Sequence, residues 1–196
     1  DRGPLYGCTD ITQCKQVACS CSRYLEIWNL VFMQFERQLD GTLKPLEHPG
    51  VDTGMGLERL CVILEDAASV FLTSLFAPII QRIEQLSSKT YAKESKITQA
   101  AFHVLADHIR SSAFLIADGA IPSNEGRGYV LRKIIRRAVL FSQKLSSKPI
   151  FPQLANVVIQ TFGNIYPELE QQKEHIKLVL ESETEKFSAN VVRGSI

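Results

Sequence analysis

The stretch Val51-Asp52-Thr53-Gly54-Met55-Gly56-Leu57-Glu58-Arg59-Leu60 decides how the rest of the chain is organised. Two glycines stand one residue apart beside an aspartate, and apolar residues at helical spacing follow them. Glycines at a strand-to-helix junction let the backbone approach a flat or phosphorylated ligand closely. Arg59 falls near the start of the expected helix, where its guanidinium can bind phosphate oxygens as a fork. The stretch therefore indicates a phosphate-binding site or an ordinary turn in which Arg59 pairs with a nearby acid.

The residues before this stretch have the composition of a β-strand. Residues 23–36 are rich in aromatic and β-branched side chains, which predicts one long strand. Alternation places Asn29 on a face that is otherwise apolar. We therefore expect a buried amide that bonds to the fold or reads a ligand.

A hairpin is expected to follow this strand. Asp40-Gly41 predicts a tight turn into a short strand at 42–46, which Pro45 confines to an edge or an end. Residues 47–50 are then expected to form a loop. The pattern predicts an antiparallel sheet backed by a helix.

Helical periodicity dominates from about residue 66 onward. The apolar stretch 67–86 is expected to kink or break at Pro78, and a long helix is expected over 97–118, ended by Gly119. Further helices are predicted over 129–145, between Pro152 and Gly163, and from Pro167 to the end. The sequence thus predicts an α+β fold, mostly α, in which a short antiparallel sheet precedes a helical bundle.

Composition leaves room for one domain or two small ones. The 196 residues are 45% hydrophobic and carry a net charge of +1, so attraction to nucleic acid must come from local clusters of charge. No apolar run reaches membrane-spanning length, so no membrane partner is predicted. The chain begins with Asp1 rather than Met, and we expect it to be part of a longer protein.

Four of the five cysteines crowd into the first 21 residues, at Cys8, Cys14, Cys19 and Cys21. Four thiolates can complete one tetrahedral zinc site, although this spacing departs from the usual paired knuckles. A zinc site and a loop of reduced thiols both fit the pattern. Because secreted disulfide scaffolds spread their cysteines over the whole domain, we expect a reducing, cytoplasmic compartment instead.

A run of cations without acids marks the expected helix 129–145. No acid occurs between Glu125 and Glu168. A helical wheel gathers the basic residues in one sector, opposite an apolar sector. The gathered residues are Arg132, Lys133, Arg136, Arg137 and Lys144. A phosphate backbone would compensate them, which predicts nucleic-acid binding; the alternative is pairing with acids from elsewhere in the fold.

Four stretches together resemble the alanyl-tRNA synthetases. They are Glu26-Ile-Trp-Asn-Leu-Val-Phe-Met-Gln-Phe35, the stretch 51–60, Ala106-Asp-His-Ile-Arg110, and a segment that runs from Ala117-Asp-Gly119 through Pro122-Ser-Asn-Glu-Gly-Arg-Gly-Tyr-Val-Leu131 to Arg136-Arg137-Ala138. The resemblance covers nearly the whole chain from residue 23, and the stretch 51–60 is similar to the third class II motif. It implies that residues 1–64 end a class II catalytic core and that residues 65–196 form a helical tRNA-recognition domain.

The resemblance also implies roles for individual residues of the expected active site. Arg59 would bind the terminal phosphate of ATP, Asp52 would hold the amino group of alanine, and both would be catalytic. The remaining implied contacts are Asn29, Val31 and Gly54 beside alanine, and Gly54 and Gly56 beside ATP.

A second set of residues is implied to bind tRNA. Asn124 would read the G·U pair at the third position of the acceptor stem. The other implied tRNA contacts are Arg127, Arg132, Lys133, Arg136 and Arg137.

The implied activity is ligation of alanine to tRNA(Ala), with ATP and Mg²⁺ for activation of alanine. The other two class II motifs would lie upstream of Asp1, so we expect the isolated chain to be inactive. Two alternatives stay open: a non-catalytic tRNA-binding relative with the same fold, and a zinc-dependent nucleic-acid module at residues 8–21.

Overall fold

The computed structural model describes residues 1–194 and divides into two compact units, one from Asp1 to Thr73 and one from Ser74 onward. The first unit holds a two-stranded sheet and short helices, and the described part of the second is helical. The predicted α+β fold, mostly α, is confirmed. Within the described residues, none of the helices combines the length and the apolar character that a membrane crossing requires.

The sheet of the first unit is an antiparallel ribbon of β1 (Trp28–Arg37) and β2 (Leu43–Met55). The predicted turn joins the strands, with Gly41 at φ 87°. Asp40 stabilises this turn, since its Oδ1 accepts from the Thr42 backbone N–H at 2.9 Å and from the Thr42 hydroxyl at 2.7 Å. The first strand begins later than predicted, because residues 23–27 are not part of the ladder.

The loop predicted at 47–50 is wrong, because β2 continues through it. The ladder accommodates this stretch by a register shift, in which Met33 pairs with Gly50 while Phe35 pairs with Pro45. One residue of β1 therefore stands opposite four residues of β2. Because proline cannot donate to a ladder, this bulge keeps the second proline of the strand out of regular pairing.

Both faces of the ribbon are exposed. Every residue of β1 is exposed, including Trp28 at 56% and Phe32 at 65%. The expectation of a buried amide at Asn29 is wrong, since the side chain is exposed and its Nδ2 donates to Glu26 Oε1 at 3.3 Å. The strand composition predicts a covered face, and within the first unit no layer covers it.

The junction between sheet and helix forms at the predicted glycines. Gly56 precedes α1 (Leu57–Leu64), and its N–H donates to the backbone oxygen of Ile27 at 3.1 Å. This bond ties the start of the helix to the residue that precedes β1. Val62 is buried, whereas Arg59 in the first turn is exposed.

The second unit is a bundle built around one long central helix. The helices are α2 (Ala77–Ser87), α3 (Lys96–Ala117), α4 (Gly126–Ser142), α5 (Ala155–Phe162), α6 (Pro167–Gln171) and α7 (Lys173–Gly194). α3 contacts each of the other five. Its buried face includes Phe102, Leu105 and Ile109, none of which has measurable exposure. The apolar stripe of α3 is therefore the centre of the core.

Local signals decide where these helices start and stop. The Ser95 hydroxyl accepts a backbone N–H in the first turn of α3, and Gly119 follows the helix at φ 84°. Pro78 lies in the first turn of α2, so it opens this helix instead of kinking a longer one over 67–86.

The other boundaries differ from the predictions by a few residues. Helix α4 begins at Gly126 rather than at Tyr129. The single helix predicted from Pro167 is two helices, α6 and α7, and residues 195–196 of that prediction lie outside the described residues.

We expect Gly128→Ala to destabilise the helical unit by about 1–3 kcal/mol, as overpacking does. Gly128 is buried, and an added Cβ would overlap the backbone oxygen of Ile121 and the hydroxyl of Ser123. Urea unfolding followed by far-ultraviolet circular dichroism measures the change. Val130→Ala, at an exposed position of the same helix, is the control, and we expect it to stay within about 0.5 kcal/mol. Equal stability of the two variants would contradict the close packing.

Candidate functional site

Four predicted site residues lie together on one face of the ribbon. Asn29 pairs with Gly54, and Val31 pairs with Asp52, across the ladder of β1 and β2. Residues two apart on a strand share a face, and residues paired across strands share it too. Opposite Cβ atoms in such pairs are about 4.5–5.5 Å apart. A small ligand can therefore contact all four residues, which we call the ribbon patch.

The Asp52 carboxylate of the ribbon patch is available to a cation. It is exposed, and its Oδ1 accepts the backbone N–H of Thr53 at 2.8 Å. Within residues 1–194 the structure gives Asp52 no ion pair. The neighbouring Gly54 leaves open space, since an added Cβ there would meet no atom within 4 Å.

Arg59 reaches from α1 back to the start of the sheet. Its Nη1 donates to the backbone oxygen of Glu26 at 2.9 Å, and its aliphatic carbons lie against Gly56. The side chain lines an open cavity of about 550 Å³ together with Glu26 and Tyr24. An exposed guanidinium at a cavity of this size can bind an anionic ligand as a fork.

Glu26 connects Arg59 to the ribbon patch, and the sequence did not single it out. Its backbone oxygen accepts from Arg59, and its Oε1 accepts from Asn29 Nδ2. Alternation along a strand would put Glu26 and Asn29 on opposite faces. The strand begins only at Trp28, so that rule does not apply to Glu26.

The four clustered cysteines converge despite their irregular spacing. The sulfur atoms of Cys8, Cys14, Cys19 and Cys21 all lie within 4.8 Å of one another. Cys8 and Cys19 are 3.7 Å apart, and Cys14 and Cys21 are 3.9 Å apart. A tetrahedron with Zn–S bonds of about 2.3 Å has edges of about 3.8 Å. The cysteines are free of disulfides, and their geometry fits a four-thiolate metal site.

The cysteine cluster is closely packed, and the pKa values of its thiols are shifted in opposite directions. An added Cβ on Gly7 would lie 2.8 Å from Arg23 backbone N and 3.0 Å from Cys21 Sγ. Hydrogen bonds from the backbone N–H groups of Cys8 and Arg23 lower the pKa of the Cys21 thiol to about 6. Hydrogen bonding with the other three sulfur atoms raises the pKa of Cys8 to about 12. Holding all four sulfurs as thiolates therefore requires a compensating cation.

Helix α4 and its flanks carry the predicted cations, which fall into two groups. The exposed group consists of Arg127, Lys133, Arg137, Lys144 and Lys148. Lys133 Nζ lies 5.4 Å from the ring centroid of Tyr129. Lys133, Arg137, Tyr129 and His108 help to line a cavity of about 350 Å³. This surface presents positive charge beside an aromatic ring.

The other two cations, Arg132 and Arg136, are half-buried and share an acidic partner. Arg136 Nε donates to Glu183 Oε1 at 2.8 Å, and Arg132 Nε lies 3.4 Å from the same oxygen. Glu183 is 4% exposed and belongs to α7. The alternative stated for the basic face, pairing with an acid from elsewhere in the fold, is therefore observed for these two residues.

The sequence contained a signal for Glu183 that its interpretation missed. Glu183 lies three residues after Leu180 and four before Phe187, on the apolar stripe of α7. An acid on a buried stripe needs a cationic or hydrogen-bonding partner. Helix α4 could supply that partner, because it carries several cations and no acid.

Negative charge also lies near Arg137. The hydrogen bond between Asp107 Oδ2 and His108 Nδ1, at 2.8 Å, is the main cause that lowers the pKa of Asp107. The positive charges of Arg110 and Arg137 lower this pKa further. Arg137 thus interacts with Asp107 while its side chain stays exposed.

Asn124 lies on the loop that leads into α4, and its side chain is exposed. Its Oδ1 accepts a hydrogen bond from Arg132 Nη1, while Arg132 Nη2 donates to the backbone oxygen of Pro122 at 3.1 Å. The Ser123 N–H donates to the backbone oxygen of Gly128 at 3.1 Å, which closes the loop onto the helix. The loop is thereby held at the N-terminal end of α4.

The whole chain, residues 1–196, matches the protein family described as tRNA synthetases class II (A). The chain therefore belongs to this family.

Similar proteins include three alanine–tRNA ligases. That of Desulfosudis oleivorans is 46% identical over 195 residues, which cover 99% of the chain and 22% of that protein. That of Listeria innocua is also 46% identical, over 99% of the chain and 22% of its own length. That of Desulforamulus reducens is 44% identical over 196 residues, or 100% of the chain and 22% of that protein. The chain thus spans 22% of the length of these relatives.

Proposed function

We propose that the chain is part of an alanine–tRNA ligase, which activates alanine with ATP and transfers it to the 3′ end of tRNA(Ala). The ribbon patch carries the proposal, because it joins an unpaired carboxylate to an apolar side chain and, through Glu26, to Arg59. The likeness to alanine–tRNA ligases over nearly all of the chain supports it. Because the chain spans 22% of those relatives, the proposal concerns the full-length enzyme that contains it.

In this proposal the ribbon patch binds alanine. The Asp52 carboxylate accepts charge-assisted hydrogen bonds from the ammonium group, which fixes the direction of the substrate. Val31 packs against the methyl side chain, and the Asn29 amide, held by Glu26, bonds to a polar group of the substrate. Gly54 leaves the space that the substrate occupies.

Arg59 acts on ATP, with Gly54 and Gly56 allowing the nucleotide to approach the backbone. In activation, an oxygen of the alanine carboxylate attacks the α-phosphorus, and pyrophosphate leaves. Arg59 binds the terminal phosphate and stabilises the charge of the leaving pyrophosphate. Positioning and electrostatics carry this step, so none of these side chains needs to act as a strong base.

Mg²⁺ would accompany ATP as a ligand of its phosphate oxygens and neutralise their charge. Among the described residues, the structure groups three or more metal-binding side chains only at the cysteine cluster. Thiolates do not suit Mg²⁺, which prefers oxygen ligands. The cysteine cluster is therefore not the place of the Mg²⁺ ion.

We propose that residues 1–64 end the catalytic core and that residues 65–196 recognise tRNA. The exposed apolar side chains of the ribbon support the first assignment, because they suit a sheet that other parts of a larger core cover. The separate helical unit from Ser74 onward supports the second.

Helix α4 and the loop before it are proposed to bind the acceptor stem. The exposed cations Arg127, Lys133 and Arg137 contact phosphates. Asn124 reads the third base pair in the shallow minor groove of the RNA helix, where an amide can donate and accept. Arg132 and Arg136 belong to the same interface, but Glu183 neutralises part of their charge.

We propose that the cysteine cluster binds one Zn²⁺, supported by sulfur separations that match a tetrahedral site. Zinc would hold the irregular segment 8–21, whose regular structure is limited to turns and one short 3-10 helix, Gln16–Ala18. Free thiols suit a reducing compartment, so we place the protein in the cytoplasm.

In the full-length enzyme, Arg59→Ala should lose about 2–4 kcal/mol of transition-state stabilisation, with little change in tRNA affinity. ATP–pyrophosphate exchange measures the loss. Asp52→Asn should instead raise the KM for alanine, because the ammonium loses its counter-charge while the shape survives. Arg37→Ala, an exposed arginine of β1, is the matched control. The proposed role of Arg59 in binding ATP would be refuted if Arg59→Ala exchanged pyrophosphate at the wild-type rate. It would also be refuted if Arg37→Ala lost as much exchange activity as Arg59→Ala.

Asn124→Ala should reduce discrimination between a G·U and a G·C acceptor stem by roughly 1–3 kcal/mol, the scale of a base-specific contact. Aminoacylation of the two stems by the full-length enzyme measures it. Because Asn124 is uncharged, the salt dependence of binding should not change. The exposed Asn164 is the matched control, as Asn164→Ala. Equal slowing on both stems would mean that Asn124 only shapes the loop.

The chain purified with zinc should hold one zinc ion per molecule by elemental analysis. Four of its five thiols should then react slowly with a thiol reagent and become reactive after chelation, because a thiolate bound to zinc is protected. Cys14→Ser should lose the metal, whereas Cys61→Ser, outside the cluster, should keep it. A zinc content near zero after reconstitution, or equal reactivity of all five thiols, would exclude the site.

A further inference from the structure

We infer that Arg132 and Glu183 are positioning residues for Asn124, and that they turn its amide so that it reads the base pair as a hydrogen-bond donor. The inference deepens the proposed recognition of the acceptor stem and rests on that proposal. It assigns to Arg132 a different role from the phosphate contact that the basic pattern of α4 predicts.

All three nitrogen atoms of the Arg132 guanidinium already have neighbours in the fold. Nη1 donates to Asn124 Oδ1, and Nη2 donates to the backbone oxygen of Pro122 at 3.1 Å. Nε is buried and lies 3.4 Å from Glu183 Oε1, an ion-pair distance without an aligned hydrogen bond. These contacts use one N–H of each Nη atom and place the buried Nε–H beside Glu183, so they hold the guanidinium within the fold, although each Nη keeps a second N–H. The exposed Lys133, one residue later, is not tied to Glu183 in this way.

Glu183 holds the guanidinium in place. Its side chain is 5% exposed, and the same oxygen accepts from Arg136 Nε at 2.8 Å. A buried carboxylate keeps its cationic partners because separation would leave an unpaired charge in a medium of low polarity. Glu183 on α7 therefore holds Arg132 in place, and Arg132 in turn holds the loop through its bonds to Asn124 and Pro122.

The chemistry of the guanidinium sets the direction of the amide. Arginine has N–H donors and no acceptor, so only the oxygen of Asn124 can face it. Nδ2 is then the end of the amide left for a ligand, and the side chains described, up to residue 191, give it no partner. An amide held this way offers two N–H donors and suits an acceptor on a base edge, such as a pyrimidine O2. Both U and C carry this oxygen, so the discrimination rests on its position, which the wobble geometry of a G·U pair shifts relative to a G·C pair.

The test uses the full-length enzyme and two synthetic acceptor-stem hairpins that differ only in a G·U or a G·C third pair. Arg132→Met should lower the ratio of kcat/KM between the hairpins by about tenfold, the same factor as Asn124→Ala. The double variant should lose no more than either single variant, since both remove one interaction. The dependence of binding on salt should stay as in the wild type.

Two further variants sharpen the test. Asn124→Asp retains an oxygen for Arg132 but has no N–H donor, so it should lose the preference as fully as Asn124→Ala. Glu183→Gln keeps the volume of the side chain and removes its charge, so it should lower the ratio in the same direction by a smaller factor. If Arg132→Met lowers the melting temperature of the enzyme, the result for Glu183→Gln decides the test instead.

Lys133→Met is the matched control on the same helix. It should lower the salt slope of binding by about one unit and leave the preference for G·U unchanged. If Arg132→Met behaves like Lys133→Met, Arg132 is a phosphate contact and the inference is overturned. A full preference in Asn124→Asp overturns the donor role. If Asn124→Ala itself keeps the preference, the proposed recognition fails; if only Arg132→Met keeps it, the positioning alone fails.

Discussion

The contact between α4 and α7 depends on one buried carboxylate. Burying a charge costs several kcal/mol unless ionic and hydrogen-bonding partners compensate it, and Glu183 finds both partners, Arg132 and Arg136, on another helix. These partners are 47 residues or more away in sequence. The pairing thus sets how α4 and α7 lie against each other, and it extends through Arg132 to the loop at Asn124. A helix to which no RNA contact is assigned therefore influences the position of a loop proposed to read RNA.

Arg59 and Arg132 have the same side chain but different proposed roles, and they differ in how many contacts each makes within the protein. Arg59 is exposed and, within the described part of the chain, its side chain makes one hydrogen bond, to a backbone oxygen, which leaves most of its donors for a ligand. Arg132 has a partner or near neighbour at each nitrogen. Charge and position along a helix do not distinguish the two cases. The distinction lies in which acceptors the fold brings within reach, and those acceptors come from distant parts of the chain.

The sequence predicted the features that local chemistry determines, such as the turn at Gly41 and the end of α3 at Gly119. It also placed the strand-to-helix junction and the fold class. It failed where a partner is remote in sequence. The prediction of a loop at 47–50 is wrong because the sequence of one strand does not show its register with β1. The ribbon patch depends on the pairing of β1 with β2, and the cysteine cluster depends on how the loop folds back on itself. Spacing along the sequence specifies neither, so only resemblance and composition predict these residues.

The ribbon also determines where another strand can join it. β2 contains Pro45 and Pro49, which have no N–H to donate, so a ladder that needs a donor at either position cannot form along this strand. β1 contains no proline, is exposed along its length and is mostly apolar over residues 28–35, which makes its outer edge the more open one to strand addition. A newly made chain with this ribbon uncovered is prone to self-association at that edge. The prolines of β2 disfavour strand addition at β2, so such aggregation should occur mainly at the edge of β1.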